Sequence, residues 1–166
     1  MDRVTTNRSP PVSVSGLSSA TLISVSSGGG NHSCARLSGG TIKCWCYGGH
    51  GELGNGSTSS SSTPVTVSGI SNATQINLGD YHSCATLSGG TVKCWGDNYY
   101  GELGDGSTTN RSTPVSVSGI SSATQISVSA GGGNHSCARL SGGTIKCWGY
   151  GGHGELGNGS TSSSST

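Results

Sequence analysis

The stretch NHSCARLSGGTIKCWCYGGHGELGNGSTSSSST occupies residues 31–63, and residues 134–166 repeat it with a single change, Gly149 in place of Cys46. A third and more divergent version, HSCATLSGGTVKCWG, lies between them at residues 82–96. Near-identical segments at a regular spacing are typical of proteins in which stacked units of one kind bury their apolar surfaces against each other. The repeat therefore decides the fold.

The repeat boundaries follow from the Pro-Val pair that comes after each polar, serine-rich run. Alignment on this pair gives repeats at residues 11–63, 64–113 and 114–166, with residues 1–10 as the tail of a preceding repeat. The sequence Thr-Thr-Asn-Arg-Ser at residues 5–9 recurs 103 positions later, so two repeat types alternate. We expect one blade per repeat and interpret the chain as a segment of a longer array.

The composition excludes several classes of function. Only 9% of the residues are charged and the formal net charge is +1, so neither nucleic acid nor an anionic membrane is an expected partner. No apolar run approaches the roughly 18 residues of a membrane span, and the first ten residues lack the apolar core of a secretory signal. We expect a soluble chain from which any export signal has been removed.

Each repeat is predicted to form several short β-strands. A Val-x-Val pair with period two occurs at residues 12–14, 65–67 and 115–117, and Ala73–Leu78 with its counterparts predicts a second strand. The segments His82–Leu87 and Thr91–Trp95 flank Ser-Gly-Gly, whose glycines can adopt the positive φ of a tight hairpin turn. A strand, a turn and a hairpin are thus expected in every repeat.

The hairpin is apolar on both faces. One face carries Cys84, Val92 and Cys94, and the other carries Ala85, Leu87 and Trp95. A sheet without a solvated face has to be covered on both sides by its neighbours. This pattern predicts an all-β protein of the propeller or β-solenoid type.

The recurring motif Ser-Gly-Gly-Thr-(Ile/Val)-Lys-Cys-Trp, followed by Gly-Glu-Leu-Gly-(Asn/Asp)-Gly and Pro-Val, resembles the repeat of the regulator of chromosome condensation family. Its most specific stretch runs from Trp95 to Gly104, and the resemblance covers nearly the whole chain. It implies three β-propeller-type blades, in an open arc or as part of a larger ring, solenoid or filament, whereas seven blades close a ring in that family. Family members include a nuclear exchange factor, a plant photoreceptor and a secreted β-lactamase inhibitor, so the resemblance implies a fold and not one function.

Six of the seven cysteines form pairs across the hairpin loops, namely Cys34/Cys44, Cys84/Cys94 and Cys137/Cys147. Residues directly opposite in an antiparallel hairpin are close enough for a disulfide, and closing a loop of about 11 residues stabilises a blade by roughly 2.8 kcal/mol. Zinc is one alternative, with His32, His82 or His135 as a further ligand two residues before the first cysteine of each pair. It is disfavoured because paired zinc ligands are expected two to four residues apart, whereas nine residues separate the two cysteines of a pair. Unbridged buried thiols are the other alternative. The disulfides favoured here predict an extracellular or cell-surface location.

The seventh cysteine, Cys46, stands where the other repeats have Gly96 and Gly149. One interpretation is an intermolecular disulfide between neighbouring subunits. The other is a buried thiol with no functional role, or an uncertain residue assignment.

Asparagine sequons support the exterior location and are the predicted attachment points of glycans. Because the chain is rich in Ser and Thr and its repeats are duplicated, the independent signals are few, and the sequon at Asn7 is weakened by the proline after Ser9. The best candidate acceptors are Asn55 and Asn158, in the polar loops. The others are Asn31, Asn72, Asn110 and Asn134.

The sequence predicts no catalytic residue, no cofactor site and no metal site. Glu52, Glu102 and Glu155 recur at one place in each repeat, as do the aromatic residues His50, Tyr100 and His153, and such repetition indicates a structural role. Gly28–Gly30 is expected to permit a strand bulge or close blade packing. A calcium site at Asp97, Asn98 and Asp105 is disfavoured because the spacing fits no calcium loop. The three tryptophans, Trp45, Trp95 and Trp148, are expected in the core between blades and not as carbohydrate platforms.

Hypotheses from three classes of function stay open. The favoured one is a non-enzymatic extracellular structural protein whose blades assemble head to tail into a scaffold or filament. Head-to-tail contact is expected because the first and last blades would expose opposite faces, and repeated addition is favoured because repeats one and three are nearly identical in sequence. The alternative is a secreted propeller that binds a protein or a carbohydrate through its loops. An exchange factor or other enzyme is disfavoured by the paired cysteines and the lack of a recognisable site. The expected partner is a second copy of the chain.

Overall fold

The computed structural model describes residues 10–166, where all regular secondary structure is β-strand. The predicted tail at residues 1–10 lies, except for Pro10, outside the described residues, as does Asn7. Within the described range, no helix could cross a membrane. The strands are β1 Ala20–Val25, β2 His32–Leu37, β3 Ile42–Cys46, β4 Ser61–Thr66, β5 Ala73–Leu78, β6 His82–Leu87, β7 Val92–Gly96, β8 Arg111–Ser116, β9 Ala123–Val128, β10 His135–Leu140 and β11 Ile145–Gly149.

The strands form three antiparallel sheets in chain order, and each sheet is one blade. Blade 1 consists of β1 to β4, blade 2 of β5 to β8 and blade 3 of β9 to β11. An isolated bridge between Gly149 and Ser164 places the segment after β11 beside it, where β4 and β8 lie in the other blades. The predicted all-β blades are thus confirmed, and over the described residues they form an open arc and not a closed ring.

The sheets are out of phase with the sequence repeats. The predicted boundaries at Pro64 and Pro114 fall inside β4 and β8, which pair with the preceding hairpin. Proline is tolerated there because these strands lie at sheet edges, where its missing N–H costs no ladder bond. Their counterpart at residues 12–14, predicted as a strand, is not one, since the described residues hold no earlier blade for it to pair with.

The predicted hairpin is present in every blade. Cys34 pairs with Cys44, Cys84 with Cys94 and Cys137 with Cys147 in strand register, and each pair forms a disulfide with its Cα atoms 4.1 Å apart. Gly40, Gly90 and Gly143 at the end of each turn have φ between +82° and +86°. The turn therefore needs a glycine at this position, as the sequence predicts.

Blade 2 is covered on both faces, as its two-sided pattern predicts. Ala85, Leu87 and Trp95 pack with blade 1, whereas Cys84, Val92 and Cys94 pack with blade 3. The disulfides of blades 1 and 2 lie within these apolar cores and not at the surface. Each core is shared between two blades, so no blade has a complete core of its own.

Close backbone approach ties the blades together where the loops after β1, β5 and β9 meet. A Cβ atom at Gly30 would lie 1.2 Å from the carbonyl oxygen of Asp80, so only glycine permits this contact. On its other side, the Asp80 carboxylate accepts hydrogen bonds from the backbone amides of Gly131 and Gly132, at 2.9 and 2.7 Å. The expected close packing of the Gly28–Gly30 segment is present.

Cys46 ends β3 in a backbone conformation that suits glycine. Its φ is +83°, and Gly96 and Gly149 at the equivalent positions have φ of +107° and +100°. A Cβ atom at Gly96 would lie 2.4 Å from the carbonyl oxygen of Tyr81, and one at Gly149 would lie 2.6 Å from that of Asn134. The Cys46 side chain is exposed, so the buried-thiol interpretation is wrong.

We expect the substitution Cys46→Gly to raise the free energy of unfolding by about 1 kcal/mol. The backbone at this position has a positive φ, which glycine adopts without the strain that a side chain causes. Urea unfolding of the unreduced protein measures the change. The reverse substitution, Gly149→Cys, is the matched control and should destabilise the chain. A Cys46→Gly variant less stable than the parent would contradict the prediction.

Candidate functional site

The contacts between blades define the chemistry of this molecule. At the first junction, the indole of Trp95 from blade 2 enters a socket on blade 1, and its Nε1 donates to the carbonyl oxygen of Glu52 at 2.7 Å. The backbone of Gly54 approaches so closely that a Cβ atom there would lie 2.7 Å from Nε1. Ile42 and Leu53, both fully buried, belong to the same core as this ring.

The second junction repeats these contacts. Nε1 of Trp148 donates to the carbonyl oxygen of Glu102 at 2.8 Å, and a Cβ atom at Gly104 would lie 2.9 Å from the indole. Trp95 and Trp148 are 0% and 1% exposed, which confirms their prediction as core residues. The Gly-Glu-Leu-Gly motif is therefore the socket for the tryptophan of the following blade.

A buried serine and histidine extend each junction. The Ser83 hydroxyl donates to the Glu52 carbonyl oxygen at 3.1 Å and lies 2.9 Å from Nε2 of His32. Ser136 does the same with the Glu102 carbonyl oxygen, at 3.3 Å, and with His82, at 3.0 Å. Each hydroxyl thus links a carbonyl oxygen of the preceding blade to the Nε2 atom of a histidine in that blade.

Burial keeps these imidazoles neutral. It lowers the pKa of His32 to about 4 and that of His82 to about 3. Of the three histidines weighed as zinc ligands, His32 and His82 thus form hydrogen-bond bridges between blades, whereas His135 contacts the Gly133 carbonyl oxygen of its own blade. Sequence reasoning missed this role, although the triplet His-Ser-Cys, present in all three repeats, carries the signal.

The glutamate side chains close the turns that form the sockets. The Oε2 atoms of Glu52 and Glu102 accept the amides of His50 and Tyr100 at 3.0 and 2.8 Å, as their predicted structural role requires. Their Oε1 atoms are buried without a hydrogen-bond partner among the described residues. Burial raises the pKa of both groups, that of Glu102 to about 7.

Blade 3 presents a socket that no tryptophan of the described residues fills. A groove of about 540 Å³ is lined by Ile145, Cys147, Leu156 and Gly157, and a Cβ atom at Gly157 would meet no atom within 4 Å. Ile145 is 65% exposed, whereas its counterpart Ile42 is fully buried. One end of the arc is therefore an open apolar face.

Blade 1 presents the opposite face. Ile23 and Val25 on β1 are 68% and 64% exposed, whereas their counterparts in blade 2, Ile76 and Leu78, are buried. Trp45 is only partly buried, unlike the other two tryptophans. The two ends of the arc are thus unlike and complementary.

A smaller pocket of about 220 Å³ opens at the second junction beside Tyr100 and Tyr150, whose rings pack edge to face with their centroids 4.8 Å apart. Its polar lining includes Asn134, His153 and Glu155. Hydrogen bonds from its own amide and that of His153 lower the pKa of Glu155.

This pocket has a physical cause in the sequence. At the first junction the residue equivalent to Asn134 is Tyr81, whose ring lies 5.0 Å from that of His50 and covers Gly29. The shorter asparagine leaves the corresponding space open at the second junction.

The residues considered for calcium have partners within the protein, and Asp97 lies 3.4 Å from Nδ1 of His50. The Asn98 amide nitrogen donates to Asp105 and to the Ser107 and Thr109 carbonyl oxygens, and Asp105 also pairs with Arg111 at 2.9 Å. No group of three or more His, Cys, Asp or Glu side chains in residues 10–166 could hold a metal ion.

The predicted glycosylation sites lie mainly at the surface. Among the candidate acceptors, Asn31, Asn72, Asn110 and Asn158 are exposed, and Asn55 and Asn134 are half-buried. The side-chain oxygens of Asn55 and Asn158 accept the amide two residues on, at 3.1 and 3.0 Å. Glycosylation stays a prediction.

The raised pKa of Glu102 predicts a pH effect. An acid whose pKa is about 7 in the folded chain and 4.5 in the unfolded chain stabilises the fold most below pH 4.5, and loses that contribution as the pH rises through 7. The substitution Glu102→Gln should therefore raise the free energy of unfolding at pH 8 by about 2 kcal/mol. Urea unfolding from pH 4 to 8 tests this.

Glu155→Gln is the matched control. The pKa of Glu155 is lowered, so this variant should gain no stability at pH 8. Equal stability of Glu102→Gln and the parent at pH 8 would contradict the assignment.

Comparisons with known proteins agree with this geometry. The profile of the regulator of chromosome condensation (RCC1) repeat matches residues 40–86 and 89–139, and a second profile of that repeat matches residues 73–102 and 125–155. No curated protein sequence matches the chain significantly.

Several solved structures share the fold. Yeast RCC1 (Prp20) bound to Kap60 is 17% identical with a TM-score of 0.75, covering 91% of this chain and 37% of that one. Prp20p from Saccharomyces cerevisiae, studied with its binding to Gsp1p and histones, is 19% identical with a TM-score of 0.75, covering 91% and 38%. Human WBSCR16 is 22% identical with a TM-score of 0.68, covering 80% and 33%.

The chain thus spans about a third of the length of each of these structures. The repeat profile covers more than half of the chain, and its motif forms the tryptophan socket between blades. The chain belongs to the regulator of chromosome condensation (RCC1) repeat family.

Proposed function

We propose that this chain is a non-enzymatic, extracellular scaffold protein whose blades associate head to tail through their end faces. The supporting observation is the contrast between ends and junctions. Ile23, Val25 and Ile145 are more than 60% exposed at the ends, while the equivalent residues at the junctions are buried. Apolar surface of this kind marks an interaction site.

The location is supported by the cysteines. Three disulfides in a chain of 166 residues suit an oxidising compartment, and the small apolar content leaves the blades dependent on them. A structural role is supported by the polar groups, which form hydrogen bonds between blades. The carbonyls of Glu52 and Glu102 and the hydroxyls of Ser83 and Ser136 hold blades together, so these groups are committed to the fold.

Protein recognition is also consistent with the fold family. Prp20 was solved with a protein bound to it, Kap60. For the present chain we propose that the protein partner is another blade of the same kind, because the two end faces repeat the two sides of the internal junctions.

The proposal predicts assembly that depends on concentration. Sedimentation velocity of the unreduced Cys46→Gly variant, which removes the thiol outside the three disulfides, should show species larger than the 16.4 kDa chain that grow with concentration. Electron microscopy should show rings or filaments. A compact monomer at every concentration would contradict the proposal.

The pocket beside Tyr100 and Tyr150 supports a second candidate function, the binding of a carbohydrate. Aromatic walls with an amide, an imidazole and a carboxylate at the rim match the apolar faces and hydroxyls of a sugar. A volume of about 220 Å³ suits a single residue of a saccharide.

Saturation-transfer NMR with methyl glucoside, methyl mannoside and N-acetylglucosamine tests this candidate. At least one sugar should receive signal from the parent, and Tyr100→Ala should lose it because one wall of the pocket is removed. Tyr99, exposed beside Tyr100 but outside the pocket lining, provides the control variant Tyr99→Ala. No transfer to any sugar, or equal loss in both variants, would exclude the site.

A further inference from the structure

The open groove on blade 3 has the parts of a tryptophan socket. Leu156, Gly157 and Ile145 occupy the places that Leu53, Gly54 and Ile42 hold around Trp95. A Cβ atom at Gly54 or Gly104 would collide with an indole, whereas the same atom at Gly157 would meet nothing within 4 Å. The socket is therefore formed, and no tryptophan of residues 10–166 occupies it.

The polar groups of a junction are present beside this socket as well. The Glu155 backbone corresponds to Glu52 and Glu102, whose carbonyl oxygens accept the indole N–H. His135 corresponds to His32 and His82, whose Nε2 atoms bind the serine of the following blade. Blade 3 thus holds the accepting half of a junction.

Blade 1 holds the other half. Trp45 corresponds to Trp95, and it is only partly buried because no socket in the described residues receives it. Ser33 corresponds to Ser83 and Ser136, the hydroxyls that bridge carbonyl and imidazole. Ile23 and Val25 supply the apolar surface that surrounds the ring at the internal junctions.

We propose that Trp45 of one copy of this chain occupies the blade 3 socket of a second copy, with its Nε1 donating to the Glu155 carbonyl oxygen and the Ser33 hydroxyl binding Nε2 of His135. The occupant is a second copy because both halves are those of the internal junctions. This inference rests on the proposed head-to-tail function and specifies its contact residues.

The contact between copies should be weaker than the internal junctions. Internally, Asp80 accepts two amides of the blade 3 loop and packs against Gly28 and Gly30 of blade 1. Where blade 3 of one copy meets blade 1 of another, the two loops in contact are the glycine-rich residues 131–133 and 28–30, and neither loop carries a carboxylate equivalent to that of Asp80. The assembly should therefore be reversible.

A complementation experiment in the Cys46→Gly background tests the inference. Trp45→Ala removes the ring and leaves the socket, whereas Ile145→Glu places a charge in the socket and leaves the ring. Each variant alone should associate at least about tenfold more weakly than the parent, because buried tryptophan contacts and desolvated pockets dominate interface energies. An equimolar mixture should form a dimer and nothing larger, since each pair has one intact contact.

Three further measurements complete the design. Trp45→Phe keeps an aromatic ring and loses the N–H, so it should weaken association about fivefold, less than Trp45→Ala. Tyr99→Glu adds a charge at another exposed aromatic residue and should assemble like the parent. Circular dichroism should show that every variant is folded, because Trp45 is only partly buried and Ile145 is exposed.

The outcomes separate the two proposals. A parent chain that stays monomeric overturns both the scaffold function and this contact. Assembly that persists in Trp45→Ala and Ile145→Glu, or variants that fail to form a dimer when mixed, overturns the contact and leaves the scaffold function standing.

Discussion

The structure depends on the tryptophans that blades 2 and 3 each insert into the blade before them. Trp95 and Trp148 are the largest buried side chains, and each bonds to a backbone carbonyl of the neighbouring blade. Burying an indole costs free energy unless its N–H donates to an acceptor. The apolar socket and the carbonyl oxygen therefore both require the same position of the ring. Because the hairpin is apolar on both faces, no blade satisfies this requirement alone, and stability is a property of neighbouring blades together.

Polar contacts inside the apolar junctions give them specificity. A neutral histidine, a serine hydroxyl and a glutamate carbonyl form a chain of hydrogen bonds across each junction, in a region where an unpaired polar group would be costly. The disulfides of blades 1 and 2 lie in the same cores. The hairpins that form the junctions are thus covalently closed, which offsets the small number of large apolar residues.

Local patterns in the sequence predict the local structure well. The Ser-Gly-Gly turn fixes the hairpin, the hairpin places Cys84 opposite Cys94, and the alternation of side chains assigns Trp95 to a buried face. The sheet boundaries were missed because β4 and β8 begin in polar, serine-rich segments whose pairing depends on the hairpin before them. A period-two pattern at residues 12–14 failed for the same reason, since an edge strand forms only beside a partner.

Contacts between blades could not be predicted from one repeat. The roles of His82 and Asp80 depend on the distance between blades, which repeat spacing does not encode. Likewise the pocket beside Asn134 exists because Tyr81 fills the equivalent space at the other junction, a difference between two sites that only their superposition reveals.

The position of the disulfides also sets how this molecule would respond to a pulling force. Each bridge joins two residues ten apart across the hairpin of a blade, so roughly 30 Å of chain per blade cannot be drawn out under tension. The outer strands β4 and β8 carry no such bond and would peel away first. Trp95 directly follows Cys94, so the bond that limits extension also holds the anchoring ring in place. Under tension, an array of such blades would lose its outer strands first, while the contacts between blades stayed intact.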